Sequence, residues 1–391
     1  MNDIVFISRK YCRGEAWCNR LLAYAKSFQN QGYNVELVFL VANEQSKDSS
    51  EDFRDLNIRY LSAFSDSDNA IKKIIVYTKA IISLLFAIEH NTIIITSDGG
   101  GMFLPFLFFR KNKNFTFTEI TEHPEILGMI MNPSSIWHKI KNTILHYKVL
   151  INNSLLKANT GIFTISNSLS EYLIEHGIPQ EKICRINMFV DSSRFEIMKE
   201  QKEPYIAYCG TISREKDGVD ILLKAFSVFR QSASDYKLYL IGRFMNQKTE
   251  IEIKELISSL NLQDSVVITG MVPPSQIPVF LKNANILALS RPDNLQNRNG
   301  FPTKLGEYLA TGNPVVVTSI GEIPDFLTDG VNAYLADPDD VESFSNALLR
   351  VVNDYIKAQQ IGAEGKLLVS SCFSSDNQAK IALQFIASRM K

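Results

Sequence analysis

What most limits the folds open to this sequence is a pairing that recurs along it: a short unbroken apolar run, then a loop, then a longer stretch with apolar residues at helical spacing. Residues 4–8 (IVFIS) form such a run, residues 17–31 carry the helical spacing, Gly32 ends it, and VELVFLV follows. Strands that are apolar throughout, rather than at alternate positions, are buried on both faces of a parallel sheet, and the intervening helices cover those faces. IIIT at 93–96, FTFTEI at 115–120 and GIFTIS at 161–166 continue the series. The N-terminal half therefore reads as a doubly wound α/β domain.

The series lapses once. Between residues 192 and 204 the chain becomes charged (EIMKEQKEP), and a second series then begins with YIAYCG at 205–210. It continues through KLYLIG at 237–242, VVITG at 266–270, ILALS at 286–290 and PVVVTS at 314–319 to a helical segment near 340–354. A chain of 391 residues fits two domains at a prior of about 150 residues each. The expected division is 1–197, 198–372 and a closing helix in 373–391, whose Ile381, Leu383, Phe385 and Ile386 suit packing back toward the N-terminal domain.

Charge excludes some partners. The 41 basic residues nearly cancel the 42 acidic ones, so no whole-chain field draws the protein to nucleic acid, and any phosphate site must be local. The five cysteines, Cys12, Cys18, Cys184, Cys209 and Cys372, are scattered without metal-ligand spacing, as expected of reduced thiols in a cytoplasmic protein. MNDIVFIS reads as a first strand rather than a signal peptide. MFLPFLFF at 102–109 is interrupted by Pro105 and falls short of the roughly 20 residues a spanning helix needs. With Arg110, Lys111 and Lys113 behind it, that stretch reads either as a buried helix or as a lipid-facing patch giving peripheral contact with a membrane.

In open α/β sheets, ligands bind beyond the carboxyl ends of the strands. After YIAYCG comes TISREKDG at 211–218, where Arg214 and Lys216 precede a helix; cations beside a helix N-terminus suit a diphosphate, although such a stretch is also an ordinary solvated turn. After ILALS comes NGFPTKLGEYLATGNP at 299–314. Pro302 marks a helix start and Gly312-Asn313-Pro314 its end. Gly300 allows close approach of a ligand, Thr303 and Lys304 suit phosphate oxygens, and Glu307 suits sugar hydroxyls, although it also reads as a solvated helix acid.

YIAYCGTISREKDGVDILLKAF and GFPTKLGEYLATGNPVVVTSIGEIPDFLTDGVNAYLADPDD together resemble the retaining glycosyltransferases of the large group 1 family, which have the glycosyltransferase-B fold. The likeness spans most of 205–349, with weaker echoes at the loop through Gly14, at TEHPE around His123 and at ISNSLSEYLIEHGIPQEKICRINMFVDSSRF. It implies two doubly wound Rossmann-like domains facing a central cleft. It also implies transfer of a hexose-type sugar, with retention, from a UDP-, GDP- or similar nucleotide sugar to a glycan or lipid-linked acceptor in surface polysaccharide or glycoconjugate synthesis, with no cofactor and no metal.

Carried onto this chain, the resemblance makes Lys216 a catalytic cation and Glu307 the glutamate that binds the nucleotide ribose. Two positions depart from the family: Thr211 stands for its usual arginine, and Asn299 for the first of its two glutamates, eight positions before Glu307. Arg214, Arg243 and Arg298 are candidates for the missing cation. The expected catalytic set is thus Lys216, Arg214, His123 and Asn299. The donor set is Gly210, Thr211, Gly242, Arg243, Gly300, Phe301, Thr303, Lys304 and Glu307, and the acceptor side is Gly14, Glu15 and His123. The departures leave a catalytically silent nucleotide-sugar binder and a nucleotide-sugar epimerase open as alternatives. A dinucleotide oxidoreductase is disfavoured, because neither first βα turn carries the close-spaced glycines that such a cofactor requires. Asp337-Pro338-Asp339 reads as a turn into the next helix rather than as a metal motif.

Overall fold

A computed structural model describes residues 3–11, 16–42, 55–65, 67–96, 114–123, 154, 156–200 and 203–390. Two compact units result: Met1–Asn187 with Ser375–Lys391, and Met188–Ser374.

The first unit holds a seven-stranded sheet, all parallel: β1 (Ile4–Lys10), β2 (Val35–Val41), β3 (Asn57–Tyr60), β4 (Ile93–Thr96), β5 (Phe115–Ile120), β6 (Gly161–Thr164) and β7 (Ile183–Arg185). Their spatial order is β3-β2-β1-β4-β5-β6-β7. The apolar runs became strands because both faces are covered; β4 is buried at every residue, and Phe6, Phe39, Phe117 and Phe163 are closed to solvent. The closing helix Ser375–Arg389 lies in this unit against the helix Ala16–Asn30. Its Phe385 ring meets Phe117 at 6.2 Å and Phe163 at 5.8 Å. Position 161 is glycine because a Cβ there would sit 2.6 Å from that ring. Leu383 and Ile386 are buried as their spacing suggests, while Ile381 faces outward.

The second unit holds six parallel strands: β8 (Tyr205–Cys209), β9 (Lys237–Ile241), β10 (Val266–Gly270), β11 (Ile286–Leu289), β12 (Val315–Thr318) and β13 (Tyr334–Ala336). They are arranged β10-β9-β8-β11-β12-β13. The helix Val219–Phe229 buries Leu222, Ala225, Phe226 and Phe229 on one face, the periodicity read from sequence.

The expected boundary at 197/198 lies ten residues too late. Residues 188–197 belong to the second unit because they pack on the helix Thr303–Thr311: a Cβ on Gly306 would sit 2.5 Å from Met188 Sδ, Phe195 is fully buried, and Val190 N–H donates to Phe373 O at 3.1 Å. The helix Tyr355–Cys372 braces the opposite end of Thr303–Thr311. Its Gly362 comes so near that a Cβ would meet Gly312 O at 2.6 Å, and a Cβ on Gly365 would meet Asn332 O at 2.6 Å.

Candidate functional site

The order of the second sheet reverses at β8 and β11, so the chain leaves these neighbours in opposite directions and a crevice opens beyond their carboxyl ends. The loops there are 210–218 and 290–302.

The first loop begins at Gly210, φ +150°, and runs beside the loop after β9, where Gly242 has φ +138°. A Cβ on Gly242 would lie 2.1 Å from Gly210 O, so only glycine admits this approach. Ile212 N–H donates to Arg243 O at 2.8 Å and Met245 N–H to Ile212 O at 3.0 Å, extending the ladder past the strands. Next comes a tight turn in which Ser213 Oγ accepts from Lys216 N–H at 2.9 Å. Gly218, left-handed at φ +61°, then starts the helix Val219–Phe229.

Three side chains stitch the two loops together. Ser290 Oγ donates to Gly218 O at 2.8 Å, Asn297 Nδ2 to Lys216 O at 3.0 Å, and Asn294 Nδ2 to Glu215 O at 2.7 Å. Lys216 thus has its backbone held at both N–H and C=O while its side chain is half-exposed.

Beneath this seam lies a polar cluster. Asp217 is 1% exposed. Lys304 Nζ donates to Asp217 Oδ2 at 2.5 Å and to Tyr208 Oη at 3.2 Å, and lies 4.8 Å from the Tyr208 ring centre. Tyr208 Oη is 2.7 Å from both Asp217 Oδ2 and Thr211 O, and Arg291 Nε is 4.0 Å from Asp217 Oδ1. Burial pushes the Asp217 carboxyl up, but Lys304, Arg291 and the hydrogen bonds from Lys304 and Tyr208 outweigh it and hold the group below its ordinary value. Asp217 is an anion. Burial, reinforced by that anion, drives the Tyr208 phenol well above its ordinary value, so it stays a donor. Burial also raises the Cys209 thiol to about 12, and Cys209 N–H donates to Tyr308 Oη at 2.7 Å.

Lys304 comes from the helix Thr303–Thr311, which starts at Pro302 and ends at Gly312, left-handed at φ +74°. Pro302 provides no side-chain cap; Leu305 N–H turns back to Pro302 O at 3.0 Å, which leaves the N–H groups of Thr303 and Lys304 to meet an anion. The Lys304 ammonium occupies the space over Gly210, 2.5 Å from where a Cβ would be. Two of its three N–H donors serve Asp217 and Tyr208. One turn on, Glu307 Oε1 accepts from Arg194 Nη1 at 2.9 Å.

Of the residues singled out from sequence, Gly210, Thr211, Lys216, Asn299, Gly300, Phe301, Thr303, Lys304 and Glu307 lie on the β8 and β11 loops or the helix after them. Gly242 and Arg243 follow β9, next to a cavity of about 720 Å³ also lined by Phe244, Glu250, Lys254 and Met271. Arg214 pairs with Glu252 at 3.0 Å and Asp220 at 3.7 Å, and Arg298 grips Asp293 through two bonds of 2.5 and 2.8 Å. Lys304 Nζ lies over Gly210 at the end of β8, while Arg243 lines the cavity after β9. Asn299 Nδ2 donates to Leu295 O at 2.9 Å within the helix Leu295–Asn299. The Phe301 ring is buried against Phe326 and Phe373.

His123 belongs to the first unit, after β5. It is 7% exposed, and its ring centre lies 4.3 Å from that of Tyr172, which lies 4.1 Å from His176. Gly14, Glu15 and the 102–113 stretch lie outside the described residues. Sequence reasoning passed over Asp217, Tyr208, Arg291 and Arg194. Only the crossover of the sheet shows that the two loops meet.

Comparison with known proteins adds the following. Residues 189–368 match the family model of glycosyl transferases group 1. The chain is 26% identical over 202 residues to the amylovoran biosynthesis glycosyltransferase AmsK of Erwinia amylovora, covering 50% of this chain and 48% of that protein. It is 28% identical over 195 residues to the lipopolysaccharide 1,2-N-acetylglucosaminetransferase of Salmonella typhimurium, covering 49% and 50%. The chain spans about half the length of these curated relatives. Among solved structures, Anabaena HepE in complex with UDP and glucose superposes with a TM-score of 0.74 at 14% identity, covering 99% of this chain and 100% of that one. A glycosyltransferase from Rickettsia africae gives 0.71 at 16%, covering 100% and 99%. The α/β architecture with two parallel sheets is the glycosyltransferase-B fold.

Proposed function

We propose, from the match of residues 189–368 to the group 1 glycosyl transferases, that this chain moves a hexose-type sugar from a nucleoside-diphosphate sugar to a hydroxyl of a glycan or lipid-linked acceptor, with retention at the anomeric carbon, in surface polysaccharide or glycoconjugate synthesis. The observation that carries this reading is the meeting of the Lys304 ammonium with an uncapped helix N-terminus over the end of β8. A diphosphate placed there accepts from the Thr303 and Lys304 N–H groups and from the remaining Lys304 side-chain donor, with Lys216 at the loop's edge. As the bond from sugar to phosphate breaks, negative charge grows on the leaving diphosphate, and donors already fixed in place stabilise it without reorganising. Asp217 supplies that fixity by holding Lys304 through a 2.5 Å bond. Glu307 binds the ribose, and the cavity beside Gly242 and Arg243 has room for the base. His123, with Gly14 and Glu15, serves the acceptor side, in a cytoplasmic protein that meets the membrane peripherally. UDP and glucose in the HepE complex agree with a donor of this class.

The test is a panel of UDP-, GDP- and ADP-sugars with a polyprenyl-linked or oligosaccharide acceptor, following nucleoside diphosphate release and the anomeric configuration of the product. Acceptor-dependent release with retained configuration, insensitive to EDTA, is expected. Binding without release would indicate a silent homologue, and donor conversion without acceptor would indicate an epimerase.

A further inference from the structure

One helix of the first unit is apolar on the face it presents to solvent as well as on the face it buries. Ala70–Ala87 is 18 residues long, and its N-cap Asn69 accepts from Lys72 N–H at 2.9 Å. Its inner face packs on β2, with Ala80 and Leu84 closed to solvent and Tyr77 beside Phe64. Its outer face carries Ile71, Ile74, Ile75, Ile82 and Phe86, which are 71%, 65%, 49%, 51% and 86% exposed. At 3.6 residues per turn these five fall within one arc of roughly 120°, and the helix runs for about 27 Å. A single exposed Ile or Phe is ordinary; five on one helix face, with exposed Thr78 between Ile75 and Ile82, mark an interaction surface.

Charge selects the partner. Residues 68–87 contain Lys72, Lys73 and Lys79 against one acid, Asp68, which pairs with Lys72 at 2.7 Å. Lys73 Nζ lies over the Phe64 ring at 5.4 Å. Lys72 and Lys79 are exposed and border the apolar arc. The stripe is a straight convex ridge, not a groove for a side chain or peptide. Lysines beside such a ridge extend their stems along apolar surface and keep their charge at the polar boundary, which suits a helix lying in the plane of a lipid–water interface. No helix among the described residues is long and apolar enough to cross a membrane.

We propose that Ala70–Ala87 docks the protein on an anionic lipid surface, with Ile71, Ile74, Ile75, Ile82 and Phe86 entering the headgroup layer and Lys72 and Lys79 meeting lipid phosphates. This deepens the peripheral membrane contact proposed above by naming the surface that makes it, and it does not depend on the transfer reading, since the surface lies in the other unit from the proposed nucleotide site.

Co-sedimentation of the full chain with vesicles, without donor or acceptor, tests it. Phosphatidylglycerol–phosphatidylcholine vesicles should carry the protein down, phosphatidylcholine alone should do so less, and added salt should narrow the difference. The double variant Ile82→Gln/Phe86→Gln should bind about tenfold more weakly or worse. Both side chains are exposed, so its circular dichroism and melting should match the parent. Lys79→Gln should weaken only the phosphatidylglycerol-dependent part. Wild-type protein that stays in the supernatant, or binding untouched by the double variant, overturns the proposal. So does a dimer in sedimentation velocity that Phe86→Gln splits, because a second copy would then be what covers the stripe.

Discussion

Lys304 and Asp217 stand 87 residues apart in the chain and 2.5 Å apart in space, with Asp217 all but closed to solvent. This contact joins the start of one helix to the loop before another, so it sets how these two segments sit against each other. Removing one partner of a buried pair leaves the other uncompensated, which commonly costs about 3–5 kcal/mol. Asp217→Asn should therefore lower both the melting temperature and the affinity for the nucleoside diphosphate. Lys304→Met should lose more of the affinity, because it also removes the cation. Unchanged affinity in Lys304→Met would remove this residue from the donor site.

The same pair has a pH signature. The folded Asp217 carboxyl titrates below its ordinary 3.8, so its contribution to stability is present above 3.8 and is lost as pH falls through the lower folded value. The plot of melting temperature against pH should be less steep below pH 4 in Asp217→Asn than in the parent. Parallel acid limbs would show that the ion pair contributes nothing there.

Lys216→Ala should reduce turnover by about 100-fold while leaving stability almost unchanged. The turn around it is held by Ser213 and Asn297 through main-chain atoms, which the substitution leaves in place. Near-parental turnover with the true donor would show that Lys304 and the helix amides suffice.

Much of the fold was legible because a parallel sheet leaves a simple mark. Runs such as IIIT and ILAL, buried at every residue, have no solvent-facing position to break the pattern. The helix of Thr303, Lys304 and Glu307 was legible from its ends, Pro302 and Gly312, which act through local backbone geometry. β3, the edge strand NIRY, was not, because it is short and half-exposed and carries no apolar run. Nor was the helix Tyr355–Cys372, whose packed face includes Ala358, Gly362 and Gly365, small residues that leave no hydrophobic stripe. In the site, the loops could be read but their partnerships could not. Glu307 pairs with Arg194 from 113 residues away, and no local spacing encodes a contact of that separation.

That pairing shapes the expectation for Glu307. A charge-assisted hydrogen bond is worth roughly 1.5–3 kcal/mol, so Glu307→Ala should weaken donor binding by about 10- to 150-fold, and Glu307→Gln by less. Arg194→Ala should weaken binding mildly, since it frees the carboxylate to wander without removing it. A Glu307→Gln protein with unchanged affinity but turnover near zero would instead place the carboxylate at the reacting carbon.

Gly218→Ala should be among the most damaging single-methyl changes in the second unit. The added carbon would sit 2.1 Å from Ser290 O, on a residue at φ +61°, so the two loops would have to part. A loss of about 1–3 kcal/mol from backbone strain alone is expected in urea unfolding. A variant as stable as the parent would mean that this seam is soft.

Gly362 gives the helix of Lys304 and Glu307 a second point of control. That helix is nine residues long, about 14 Å. Its far end rests on a surface so close that a Cβ at 362 would strike Gly312 O and Asn313. The Lys304 end is thus one arm of a lever whose other arm lies outside the crevice. Bulk added at Gly362, as in Gly362→Leu, should tilt this helix and shift the Lys304 ammonium from the end of β8, which titration with UDP would read as weaker binding from a residue outside the crevice.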